Sequence, residues 1–176
     1  MPICKAFDHQ QHEAYRKARM ARFAAIVALL AGVLPASSQI IGPAPTAKHI
    51  YSDTASPKTD IAAALARAKR EHKRVILDFG GDWCGDCQVL DIYFHQAPNA
   101  ELLEKHFVLV HISIGHEDKN IDVAAKYGVP ISKGVPALAV LAPDGKVLYA
   151  QATGEFEDMR HMESASVTEF LNKWKG

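Results

Sequence analysis

Apolar positions recur along this chain with two periods, one near 3.6 and one near 2, and the switches between them predict the elements. Ile61, Leu65 and Ala68 recur through Ala62-Ala63-Ala64, so about 59–71 is read as a helix. Ser56-Pro57 supplies its N-cap and a first-turn proline. Residues 74–79 are a near-continuous apolar run around Asp78, the mark of a strand buried on both faces. Gly80-Gly81 permits a tight turn. A helical pattern then runs from about Cys84 through Val89, Leu90 and Phe94 until Pro98-Asn99 interrupts it. Residues 100–106 predict a short helix, 107–114 an alternating strand, and 121–127 a short helix ended by Gly128. Residues 137–141 and 147–152 predict two strands joined by a hairpin turn at Pro143-Asp144-Gly145-Lys146. The polar stretch 155–162 reads as a loop. In the closing helix, 166–174, Val167, Phe170, Leu171 and Trp174 share one face. A strand–helix–strand half followed by a hairpin and a last helix predicts one α/β sheet covered on both faces.

The N-terminal part follows another logic. Arg16, Lys17, Arg19 and Arg22 flank an apolar stretch from Phe23 to Leu34, and Pro35-Ala36-Ser37-Ser38 follows. Basic, apolar, then small residues is the layout of a secretory signal, expected over residues 1–38 and cut near Ala36 to Ser38. The apolar core is short for a membrane span of ~20 residues. An uncleaved inner-membrane anchor over 23–41 is the alternative reading. Met20 offers a more compact start for the same signal. Residues 39–58, with Pro43, Pro45 and Pro57, are expected to be a linker, and 59–176 the folded domain.

Composition narrows the function classes. The 176 residues are 48% apolar and 23% charged, with zero formal net charge, which disfavours a nucleic-acid partner. From Gln39 onward, 15 basic and 18 acidic residues leave a net charge of −3. Three cysteines exclude a disulfide-stapled scaffold. Cys4 would leave with the signal, so the mature chain keeps only Cys84 and Cys87.

Those two carry the chemistry. In Trp83-Cys84-Gly85-Asp86-Cys87 a strand delivers a Cys-x-x-Cys pair to the start of a helix. Orphan N–H groups and the positive end of the macrodipole favour an anion there. That anion would be the Cys84 thiolate, the nucleophile of disulfide chemistry. One helical turn brings Cys87 close enough to bond it. A zinc site is the competing use of this spacing, but it needs four ligands and the chain has no second cysteine pair.

With the dithiol motif above, and with Pro98-Asn99-Ala100-Glu101 before Phe107-Val108, the chain resembles the thioredoxin superfamily over about Thr59 to Lys175, and within it, by that second segment, the periplasmic thioredoxin-like proteins. Ile76-Leu77-Asp78-Phe79 before the dithiol, Ala125-Lys126-Tyr127-Gly128-Val129, Gly134-Val135-Pro136 and Pro143-Asp144-Gly145 carry the resemblance. It implies a thioredoxin fold, a central mixed β-sheet with helices on both faces. It also implies a redox-active Cys84–Cys87 disulfide, with Cys84 attacking and Cys87 resolving. Pro136 is then a cis-proline facing the dithiol; an ordinary trans proline at a strand start is the alternative. The Val135 backbone, with Trp83, Gly85 and Asp86, contacts substrate. Asp78 takes the role of a buried acid beneath Cys87 that relays its proton; a turn cap at a strand end is the alternative. Pro130-Ile131-Ser132 departs from the pattern as an insertion before the proline loop. His111 lies where related proteins sometimes carry a basic residue, but is read here as a strand histidine.

The expected function is an exported, periplasmic thiol–disulfide oxidoreductase acting on disulfide-bearing proteins. Asp86 beside Cys84 disfavours its thiolate by like-charge repulsion and points to a reductant. No nucleotide or flavin motif is present, so no cofactor is expected and a dithiol donor, soluble or membrane-bound, must supply electrons. A module holding copper through the same two thiolates is the alternative from another class.

Overall fold

The computed structural model describes residues 48–176, so the expected signal, the anchor over 23–41, the alternative start and Cys4 lie outside the described residues. Five α-helices and four strands follow in the order α1 (Pro57–Glu71), β1 (Arg74–Gly80), α2 (Gly85–Phe94), α3 (Asn99–His106), β2 (Phe107–Ser113), α4 (Ile121–Lys126), β3 (Ala137–Leu141), β4 (Val147–Ala150) and α5 (Ser164–Trp174). The sheet order is β2-β1-β3-β4. β1 runs parallel to β2 and antiparallel to β3, and β4 closes the hairpin. Central position explains the composition of β1. It has a neighbour on each edge and a helix layer on each face, so every residue from Val75 to Gly80 is buried.

Two cores sit on the two faces. One gathers Ile61, Ala64 and Ala68 of α1 and Val123 and Ala124 of α4 against Val75, Leu77 and Phe79. The other gathers Leu90 and Phe94 of α2 and Val167, Phe170 and Leu171 of α5 against Ile76, Leu138 and Val140. Each large side chain buried this way is worth about 1.5–3 kcal/mol. This is the mixed sheet with two helical layers that the sequence predicts.

Two segments differ from expectation. The stretch 155–162 is not a plain polar loop. It carries a 3₁₀ turn at Met159–His161, and Phe156 and Met159 enter the second core. Two apolar residues three apart are enough to pin a segment that is otherwise charged. The lead-in is also more than a linker. Tyr51 is buried, and the Ile50 and Tyr51 N–H groups donate to Asp82 Oδ1 at 2.8 and 3.0 Å. The inserted Pro130-Ile131-Ser132 leads into a 3₁₀ turn at Ile131–Lys133 whose Ile131 is buried, so the departure before the proline loop is ordered by its own apolar side chain.

Candidate active site

β1 ends at Gly80, and a short turn carries the chain to α2, whose N-cap is Cys84 in an extended conformation (φ −84°, ψ 110°). Cys84 Sγ accepts the Cys87 N–H at 3.1 Å. That donor is one of the orphan groups of the helix start, so the sulfur sits where negative charge is stabilised. Cys84 and Cys87 are joined as a disulfide, with Cα atoms 5.2 Å apart. Cys84 retains 6% exposure and Cys87 none. The outer sulfur lies on a groove of about 650 Å³ lined by Trp83, Asp86, Glu117, Val135 and Glu157 among others.

The groove's far wall is the proline loop. The Val135–Pro136 bond is cis, and the Val135 carbonyl oxygen lies 3.5 Å from Cys84 Sγ. Gly134 precedes it at φ +106°, a backbone conformation that favours glycine, with the Glu157 side chain packed where a Cβ would stand. Gln151, buried, holds the loop from behind. Its Nε2 donates to the Pro136 carbonyl at 3.0 Å and its Oε1 accepts the Leu138 N–H at 3.2 Å. Trp83 is 48% exposed, stacks on His116 and donates Nε1–H to the Gly115 carbonyl. It is therefore a surface residue on the groove and not core packing. Gly85 lines the groove at the first residue of α2.

Beneath the dithiol, Asp78 is fully buried. Its Oδ2 accepts from the Tyr51 hydroxyl at 2.8 Å and lies 2.9 Å from His111 Nδ1. Its Oδ1 has no hydrogen-bond partner among the described residues. A buried carboxylate oxygen left without a partner costs free energy. Gly80 separates this group from the disulfide. A Cβ on it would stand 2.6 Å from Tyr51 Oη and 2.8 Å from Cys87 Sγ, so hydroxyl and sulfur are neighbours across a missing side chain. Burial pushes the Tyr51 hydroxyl far above its usual range, and the Asp78 charge adds to this. At His111, burial works downward. The hydrogen bond and charge of Asp78, with the charge of Asp91, outweigh it and hold the imidazole above its ordinary value.

Asp86 requires a correction to the charge argument. It is not a free carboxylate beside Cys84. Arg160 grips it with Nε at 3.1 Å from both oxygens, with the terminal nitrogen at 3.0 Å and with its backbone N–H at 2.9 Å. The guanidinium offsets much of the repulsion expected from sequence. Asp82 caps the lead-in, accepting the Ile50 and Tyr51 N–H groups. Burial acts upward on it, but the Tyr51 and Ile50 N–H groups and His49 hold its carboxyl below the usual carboxylate range.

The structure thus brings Cys84, Trp83, Gly85, Asp86 and Val135 to one groove, with Pro136 following Val135 in its wall, and sets Cys87 and Asp78 buried behind it. Sequence reasoning set His111 aside as a strand histidine and passed over Tyr51, Arg160 and Gln151. Among the described residues no group of three or more His, Cys, Asp or Glu is placed to hold a metal ion.

A family model described as thioredoxin-like matches residues 56–143, half of the chain. The chain belongs to the thioredoxin-like family. A disulphide isomerase from Xylella fastidiosa Temecula1 superposes with a TM-score of 0.69 at 38% identity, covering 72% of this chain and 96% of that one. The thiol:disulfide interchange protein DsbD of Vibrio cholerae serotype O1 is 33% identical over 93 residues, 51% of this chain and 16% of that protein. A protein disulfide-isomerase of Hordeum vulgare is 30% identical over 109 residues, 60% of this chain and 19% of that protein. The chain spans less than a fifth of either curated relative. This thioredoxin-like protein is accordingly a thiol–disulfide oxidoreductase by family, with Cys84–Cys87 as its cysteine pair.

Proposed function

We propose that this protein is an exported reductase of protein disulfides. The observation that carries the reading is the asymmetry of the two sulfurs: Cys84 accepts a helix-start N–H at the edge of a groove, and Cys87 is sealed beside the Tyr51–Asp78 pair. In the reduced protein the Cys84 thiolate attacks a substrate disulfide. This forms a mixed disulfide and releases one substrate sulfur as thiolate. Cys87 gives its proton to Asp78, attacks Cys84 Sγ and frees the second substrate sulfur. The protein is left as the Cys84–Cys87 disulfide. An extended substrate segment pairs with the Val135 backbone and rests on Trp83.

The reducing direction rests on the groove's charge. Asp86, Glu117, Glu157 and Asp158 face it against the single cation Arg160. That field disfavours the Cys84 thiolate even with Asp86 paired, and a less stable thiolate goes with a more reducing couple. Electrons come from a second dithiol protein, membrane-bound in an exported setting. Export itself is inferred from the basic, apolar and small-residue order of residues 16–38. Equilibration of the couple against a dithiol standard tests the direction. A potential near thioredoxin's, about −270 mV, supports a reductant, and one near −120 mV overturns it. Insulin reduction by the wild type, abolished in Cys84→Ser, tests the activity.

A further inference from the structure

Residues 48–51 form a strap ahead of the family-matched segment 56–143. The strap is laced to the redox turn through Asp82 and to α2 through Gln88, which exchanges hydrogen bonds with the Lys48 backbone at 3.1 and 2.9 Å. It delivers one side chain to each of two buried carboxylates. Tyr51 reaches Asp78, and Lys48 Nζ reaches Asp91 Oδ2 of α2 at 3.1 Å. Between the carboxylates stands His111. Its Nδ1 is 2.9 Å from Asp78, its Nε2 is 3.9 Å from Asp91, and the Tyr51 ring meets it edge-on at 5.3 Å. Asp78 has no contact with solvent, whereas the His111 side chain is 21% exposed.

We propose that His111, held between Asp78 and Asp91 and framed by the strap, is the exit by which the proton taken from Cys87 reaches solvent. The inference rests on the disulfide-reductase reading above. The Cys87 thiol passes its proton to Asp78, and the Cys87 thiolate displaces the substrate sulfur from Cys84. Asp78 hands the proton to neutral His111 Nδ1. The resulting imidazolium, stabilised by Asp91, gives up its Nε2 proton to water. The departing substrate thiolate takes a proton from solvent, so protons balance, and the only oxidant is the substrate disulfide. Four groups face His111: Asp78 from β1, Asp91 from α2, and Lys48 and Tyr51 from the strap. Lys48 opposes the charged imidazole and the carboxylates favour it. Because His111 must be neutral to accept, resolution speeds up as pH rises through its elevated value. Tyr51 acts as a positioning residue, fixing Asp78 Oδ2 through its hydroxyl.

The test separates the two steps. Reduced full-length protein in a Cys4→Ser background is mixed with excess hydroxyethyl disulfide and quenched in acid. Mass spectrometry then counts the reduced, mixed-disulfide and oxidised forms across pH. In His111→Gln, attack by Cys84 stays within about twofold of wild type, while resolution slows at least about tenfold and loses its dependence on pH. In Tyr51→Phe, which keeps the ring, resolution slows while attack by Cys84 stays within about twofold of wild type, because Asp78 Oδ2 loses the hydroxyl that fixes it. Wild-type resolution rates and pH profiles in both variants overturn the proposal, as does equal slowing of both steps. Should His111→Gln fail to fold, the Tyr51→Phe rates decide. A wild-type protein that forms no mixed disulfide on Cys84 defeats the reductase reading instead.

Discussion

A reductant should be more stable oxidised than reduced, and the geometry sets the size of the gap. The disulfide closes a loop with a sequence separation of 3. In the chain-entropy account a loop that short removes about 6 cal/mol/K from the unfolded state, or about 2 kcal/mol near room temperature. The reduced form recovers part of this. With the bond open, the Cys84 thiolate accepts the Cys87 N–H at the start of α2, a placement worth about 0.3–1 kcal/mol. The balance favours the oxidised protein by about 1–1.7 kcal/mol. For a domain of this size that is a melting temperature higher by about 3–8 °C. By linkage the folded couple is more reducing than the same dithiol in the unfolded chain by about 20–35 mV. Thermal unfolding of the oxidised and dithiothreitol-reduced proteins, in a Cys4→Ser background that removes the third thiol, measures the difference. A reduced form that melts at or above the oxidised one refutes the reasoning. It would mean that the helix start stabilises the thiolate more than the loop constrains the chain, as in a strong oxidant.

The other expectations concern the supports of the site. Gly80→Ala forces a Cβ to within 2.6 Å of Tyr51 Oη and 2.8 Å of Cys87 Sγ; overpacking of about 1–3 kcal/mol should appear in urea melts, with slower disulfide reduction. Arg160→Ala frees the Asp86 carboxylate, so the Cys84 thiolate, followed by its ultraviolet absorbance against pH, should form at higher pH and the couple become more reducing; an unchanged titration would remove Asp86 from the electrostatics. Met159→Ala should cost about 2–5 kcal/mol in chemical unfolding if 155–162 belongs to the core, and close to nothing if it is a surface loop. The raised His111 value predicts stability that is complete below about pH 6.5 and declines as pH rises through the folded value; His111→Gln should flatten that decline in unfolding curves taken across this range.

Much of the architecture was readable because periodicity reports burial directly. The unbroken apolar run in β1, the alternation in β2 and the single face of α5 each follow from how many sides of the element are covered. The dithiol was readable for a different reason: its chemistry needs a helix start, and strand-then-helix patterning puts one at Cys84. Arg160 was not readable. It lies 74 positions from Asp86 in a stretch that looked wholly polar, and only the burial of Phe156 and Met159 brings it back over the start of α2. The reductant inference drawn from Asp86 therefore lacked its counter-charge.

His111 and Tyr51 show where a signal was present and where none was. The strands predicted over 74–79 and 107–114 begin at Arg74 and Phe107. Setting two parallel strands level at their first residues puts Asp78 opposite His111, and this is the observed register. An acid and a histidine paired across the two strands behind the dithiol are a stronger indication than either alone, and strand starts were enough to find it. Nothing comparable marks Tyr51, which follows a proline-rich lead-in and matches no element. Its burial depends on Asp82 collecting two strap N–H groups and on Gly80 leaving room for its hydroxyl above Cys87. The redox turn thus organises the segment before the domain, and that segment in turn closes off the buried acid. The functional unit begins no later than Lys48, ahead of the first helix that the hydrophobic period announces.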